Sequence, residues 1–173
     1  SEPSKHPDHI VLNFSKDPAT SISITWRTNR EVNEGVAEIA ISHANPKFTS
    51  QAISKKAITN TLRSSNVVSY WNYNKPQESI FSNLNQNYHS VTFEDLNPNT
   101  IYAYRVGDGS IWSEWIQFKT ASKSSEPFSF LYVGDAQNYV LELWSRLIRE
   151  GYKKDPNASF IIHAGDLVND PHN

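Results

Sequence analysis

The chain has 173 residues, a formal net charge of −2 and no cysteine, with 5 Trp, 8 Tyr and 8 Phe. That length holds one large domain or two small ones, and either can bury a core. No Lys/Arg run stands out to meet a nucleic-acid backbone, no apolar segment approaches a membrane span, and the lack of Cys excludes disulfide scaffolds and thiolate metal sites.

Ser1 to Asp8 is polar and carries two prolines, a loose lead-in. His9–Phe14 reads as a short strand. Ser21–Thr28 alternates cleanly: Ile22, Ile24 and Trp26 point one way, Ser23, Thr25 and Arg27 the other, which makes Trp26 a core residue. Val36–Ser42 is another strand, ended by Asn45-Pro46. A further strand is placed near Ala52–Ile58, and Val67–Tyr73 is rich in β-favouring Val, Tyr and Trp. Val91 and Phe93 alternate with polar neighbours. Leu96-Asn97-Pro98-Asn99-Thr100 then turns the chain into the strand Ile101–Val106. Gly107-Asp108-Gly109 is a hairpin turn, and Ser113–Thr120 is the return strand. Roughly six to eight short strands without a helix predict an antiparallel sandwich over residues 1–122. The spacing Leu96-x-Pro98-x-Thr100-x-Tyr102 is similar to the tyrosine corner of fibronectin type III-like sandwiches, where a Tyr hydroxyl bonds back to the backbone.

Ala121–Pro127 is Ser-rich and polar, and the linker is drawn at residues 123–127. Past it the pattern changes. Phe128–Val133 is a continuous apolar run, as in a strand buried on both faces. Tyr139–Tyr152 has helical period, with Val140, Leu141, Trp144, Leu147 and Ile148 on one stripe. Gly151 can end that helix, and Asp155-Pro156 blocks its continuation. Ser159–Ala164 is a second buried strand. Residues 128–173 thus open a parallel β-α-β arrangement.

Both of these strands run straight into Gly-Asp, at Gly134-Asp135 and Gly165-Asp166. Ligands bind at the carboxyl edge of open α/β sheets. Neighbouring strands lie about 4.8 Å apart. Two carboxylates so placed repel unless a cation lies between them. A divalent cation satisfies both, and a carboxylate can bridge two metals about 3.5–4 Å apart. The structural alternative is capping: Asp135 would suit the start of the following helix. His163, just before the second motif, is either a core histidine or a ligand.

These residues are where the chain resembles purple acid phosphatases and their bacterial metallophosphoesterase relatives. Residues from His89-Ser90-Val91-Thr92 through the Leu96–Tyr102 corner, Tyr104-Arg105-Val106-Gly107-Asp108 and Trp112-Ser113 are similar to the family's fibronectin-like N-terminal domain. Gly134-Asp135 and His163-x-Gly165-Asp166-Leu167 are similar to its first two metal motifs. The resemblance implies a four-layer catalytic domain and hydrolysis of a small phosphorylated substrate at two metal ions of the Fe, Zn or Mn class. It implies that Asp135 binds one metal and that Asp166 bridges two. It also implies a secreted or periplasmic setting.

Two departures stand out. Asn169 occupies the position of the Tyr that colours purple members, so no ferric–tyrosinate site is expected. Gln137 stands where broader relatives carry His. Either amide could bind a metal or hydrogen-bond a ligand. The family's later Asn-His-Glu and His motifs are absent, so the chain is expected to be an N-terminal fragment, with the remainder of the catalytic domain missing, little or no phosphatase activity alone and weak metal affinity. The alternative is a non-catalytic sandwich module that binds through Tyr70, Trp71, Tyr73 and Trp112.

Overall fold

Alternation of apolar and polar side chains, broken by Pro, Asn and Gly turns, builds the regular elements of this chain mainly as strands. A computed structural model of the protein describes residues 2–61 and 86–167. The strands in chain order are β1 (Asp8–Phe14), β2 (Ile22–Asn29), β3 (Val36–Ile41), β4 (Ile53–Lys56), β5 (Ile58–Thr61), β6 (Gln86–Phe93), β7 (Ile101–Gly107), β8 (Ile116–Lys119), β9 (Leu131–Val133) and β10 (Ile161–His163). A 3-10 turn, Pro46–Gln51, precedes β4. A π-helical turn, Val140–Trp144, leads into helix α1 (Ser145–Lys154). The chain divides into two units, Ser1–Lys123 and Ser124–Asn173. The strand expected at Val67–Tyr73 lies outside the described residues.

Among the described residues the first unit is an antiparallel sandwich of two four-stranded sheets, ordered β1-β2-β6-β5 and β4-β3-β7-β8. The inward set of β2, Ile22, Ile24 and Trp26, meets Val91 and Phe93 of β6, Ala37 and Ile39 of β3, and Tyr102, Tyr104 and Val106 of β7. Trp26, Ile24 and Val106 are fully buried, so the alternation in β2 points to the core as expected. Arg27, on the other face, is also held down: Asp8 accepts from its Nε at 2.8 Å and its Nη2 at 2.6 Å.

Residues 52–58 do not form one strand. The chain pairs with β3 as β4, then passes at Ala57 to the other sheet and pairs with β6 as β5. The Ala57 N–H donates to the Gly35 carbonyl at 2.8 Å through this crossover. Gly35 must be small, because a Cβ there would lie 2.6 Å from His89 Nδ1 and 2.8 Å from the Trp26 ring. His89 itself is buried under Trp26, with ring centroids 5.2 Å apart.

The corner at Leu96–Tyr102 forms as its spacing predicts. The Tyr102 hydroxyl accepts from the Asn97 N–H at 2.8 Å, and Leu96 is buried beneath it. Thr120 closes the same corner by donating its hydroxyl to the Asn97 carbonyl at 2.7 Å. In the turn after β7, Asp108 Oδ1 accepts from the N–H groups of Ser110 and Ile111, and Gly109 takes φ +93°. On the outer face of the second sheet, the Arg105 guanidinium lies over Trp112 at 4.2 Å and over Trp115 at 4.9 Å. It also pairs with Glu38 at 2.7 Å.

In the second unit β9 and β10 pair in parallel, with the π-turn and α1 between them. The expectation of strands buried on both faces fails. Each strand is three residues long, Tyr132 is 70% exposed, and Ile161 and Ile162 are exposed. The helical stripe is likewise mostly uncovered: Trp144 and Ile148 are half-buried, whereas Leu141 is 81% exposed and Val140 and Leu147 are exposed. The cause is geometric: within the described residues one helix covers one face of a two-stranded sheet. Gly151 does not end the helix. It lies inside α1, where a Cβ would stand 3.2 Å from Leu131 Cδ1, so its role is to let helix and strand approach. Asp155, before Pro156, is the residue that caps α1. Among the described residues no helix is long and apolar enough to cross a membrane.

Candidate metal centre

The parallel register sets Val133 beside His163, and the pairing continues past the strands. Ala164 N–H donates to the Val133 carbonyl at 2.8 Å, and Asp135 N–H to the Gly165 carbonyl at 3.2 Å. Gly165 therefore falls beside Asp135, and Asp166 follows one residue on. Both predicted aspartates sit at the carboxyl ends of adjacent strands.

The turns that place them are left-handed. Asp135 has φ +54°, Asp166 φ +51° and Gly165 φ +103°. Asp is among the few side chains that tolerate this region, since its short carboxylate leaves the backbone room. A Cβ on Gly134 would make only ordinary contact with the Ala164 methyl at 3.4 Å, so Asp135 itself makes the first turn.

Both aspartates are exposed, and among the described residues neither carboxylate has a hydrogen-bond or ion-pair partner. The capping alternative for Asp135 is not realised. The helical segment begins at Tyr139 (φ +51°) with no side-chain cap, and α1 proper also starts uncapped. Two unpartnered carboxylates on neighbouring strand ends are a hard-oxygen donor set that suits a divalent or trivalent ion. They fit as part of a centre and not as a whole one: among the described residues no group of three or more His, Cys, Asp or Glu gathers to hold a metal.

The other candidates fall differently. Gln137 is half-buried just past Asp135 and the buried Ala136. His163 turns its ring to the helix layer, 5.0 Å from the Trp144 ring in an edge-on contact, with both ring nitrogens buried and unbonded. Asn169, Tyr70, Trp71 and Tyr73 lie outside the described residues. A groove of about 440 Å³ in the same unit is lined by Leu131, Ile148, Tyr152, Pro156, Phe160 and Ile161 among others. It sits where the strands begin and includes neither aspartate, so it is no part of the carboxylate site. The left-handed backbone at both aspartates is not legible from Gly-Asp alone, which does not say which residue takes the turn.

The family model described as Purple acid Phosphatase, N-terminal domain, matches residues 7–120. The chain belongs to this family. The match covers the sandwich of this purple acid phosphatase N-terminal domain and ends before Asp135 and Asp166. A solved structure of PhoD is similar over 96% of the chain and 29% of its own length, with TM-score 0.57 and 15% identity, a likeness of fold. The chain thus spans about three-tenths of PhoD. The FN1–FN3 domains of chicken CNTN1 are 17% identical over 69% of the chain and 31% of their own, with TM-score 0.40. A computationally redesigned β-sandwich protein is 16% identical over 69% of the chain and 98% of its own, with TM-score 0.38. No curated protein matches the chain in sequence.

Proposed function

We propose that the chain is the N-terminal part of a metal-dependent phosphoesterase, in which a purple acid phosphatase N-terminal sandwich precedes the opening of a metallophosphatase domain. The observation that carries this reading is the pair Asp135 and Asp166, unpartnered at the carboxyl ends of adjacent parallel strands. The family of the sandwich and the fold shared with PhoD across both units support it.

In this reading Asp135 and Asp166 are two ligands of a dinuclear centre of the Fe, Zn or Mn class, and Gln137 and Asn169 are candidates for a further ligand or a hydrogen bond to one. When bound, such a metal pair supplies Lewis acidity toward a phosphoryl group. The contribution of this chain is anionic charge at the strand ends, which retains the cations. The substrate is a small phosphorylated molecule, and the setting is secreted or periplasmic. The alternative of a non-catalytic binding module draws less support, since the Trp112 ring is already stacked against Arg105.

Equilibrium dialysis of the 173-residue chain against Mn²⁺ or Zn²⁺ tests the reading. Weak binding is expected, and it should vanish in the double variant Asp135→Asn, Asp166→Asn. Binding equal in the variant, or none at millimolar metal, rejects the assignment. The chain alone should not hydrolyse a chromogenic phosphate ester above the metal-containing blank. Robust turnover would reject the view that two carboxylates are only part of the centre.

A further inference from the structure

His89 is an ionisable group that the proposed chemistry does not use, and its surroundings are unusual for one. It is 1% exposed, yet it is held by polar contacts on both sides. Its Nε2 lies 2.7 Å from the Thr28 hydroxyl of β2, and its Nδ1 lies 2.8 Å from the Thr59 hydroxyl of β5. The Thr28 hydroxyl gives its one proton to the Asn29 carbonyl at 3.1 Å. In the tautomer that leaves this bond in place, Nε2 carries the ring proton and donates to Thr28, and Nδ1 accepts from Thr59. The neutral ring satisfies both hydroxyls in one tautomer.

Among the described residues nothing next to the ring would stabilise its charged form. β2 offers Trp26 and Thr28, β5 offers Thr59, and the approach of β3 offers Gly35, whose missing Cβ makes room for the imidazole. None of these is titratable. The adjacent Glu34 is exposed and paired with Lys56 at 2.9 Å. Burial holds the His89 pKa down to about 4.

The strands around the ring are not equally free to move. In the described sheet β2 and β6 are central, while β5 is the four-residue edge strand that follows the crossover at Ala57. Among the described residues, beyond its backbone pairing with β6, β5 is tied by two side-chain bonds: Thr59 to His89, and the Thr61 hydroxyl to Asn87 Oδ1 at 2.8 Å. A proton on Nδ1 turns it from acceptor to donor and leaves a charge in the core. The least disruptive route for water to reach that charge is release of β5.

We propose that His89 is an acid-sensitive clasp that holds the edge strand β5 to the sandwich when neutral and lets it open when protonated. The sign follows from linkage. The ring is depressed in the closed state and ordinary, near 6.5, once hydrated. Closure is therefore fully supported above 6.5 and weakens as pH falls toward about 4. Opening of β5 should be about thirtyfold more frequent at pH 5 than at pH 7.5.

Amide hydrogen exchange of the 173-residue chain, corrected for intrinsic rates, reads this directly. Protection of Ile58–Thr61 should fall about thirtyfold between pH 7.5 and pH 5, while amides of β2, β3 and β7 hold theirs. The His89 ring signal should titrate well below 6.5. In His89→Gln, which keeps a donor and an acceptor but no titrating group, β5 protection should lose its pH dependence. Protection that is unchanged at pH 5, that falls equally in every strand, or that keeps its pH dependence in His89→Gln overturns the clasp. A ring midpoint near 6.5 in the wild-type protein does so even if the variant does not fold.

Discussion

Strands β2 and β9 are both apolar, yet they end in opposite environments. Ile24 and Trp26 of β2 are fully buried, while Tyr132 of β9 is 70% exposed. β2 lies between β1 and β6, with the second sheet across the core. Among the described residues β9 has a single partner strand and α1 on one face. Burial is thus set by the number of layers around a strand, and its composition only makes burial favourable. The hydrophobic term follows area removed from water, so the two strands should contribute very unequally to stability.

The largest test of this contrast is Trp26→Ala. Removing a fully buried indole should cost about 3–5 kcal/mol in urea unfolding. A cost under about 1 kcal/mol would mean that the sandwich core does not depend on its central residue. Next comes Tyr102→Phe. It leaves the ring stacked on Phe118 but strips Asn97 N–H of its acceptor, for about 1–2 kcal/mol in the same measurement. No loss there would show the corner to be ornamental. The smallest effect should belong to Tyr132→Ser, within about 0.5 kcal/mol in this chain. A cost comparable to that of Trp26→Ala would collapse the distinction between the two units.

The sandwich was legible wherever alternation and turn chemistry coincide. Ile22-x-Ile24-x-Trp26 named its own buried face, and Pro98 with Tyr102 named the corner. The split of residues 52–58 was not legible, because a run of β-favouring residues says that a strand forms and not which sheet it joins. The apolar run at Phe128–Val133 predicted burial, and the structure gives a short strand with an open face. That outcome depends on neighbours remote from the run itself. Gly151 looked like a helix stop, yet its contact with Leu131 shows a glycine selected by helix–strand approach. At the candidate site the β-α-β pattern did place Asp135 and Asp166 on adjacent strand ends. It could not supply partners that lie elsewhere in sequence, since ligand sets are assembled by tertiary contacts.

The left-handed backbone at Asp135 and Asp166 separates shape from charge at those two positions. Glycine would keep the turn, and with less strain than aspartate. Asparagine would keep both the turn and the side-chain volume while dropping the charge. Alanine would do neither, adding roughly 1–2 kcal/mol of backbone strain that has nothing to do with cations. Truncation scanning would therefore confuse a distorted hinge with a lost ligand, whereas a change to asparagine isolates the electrostatics.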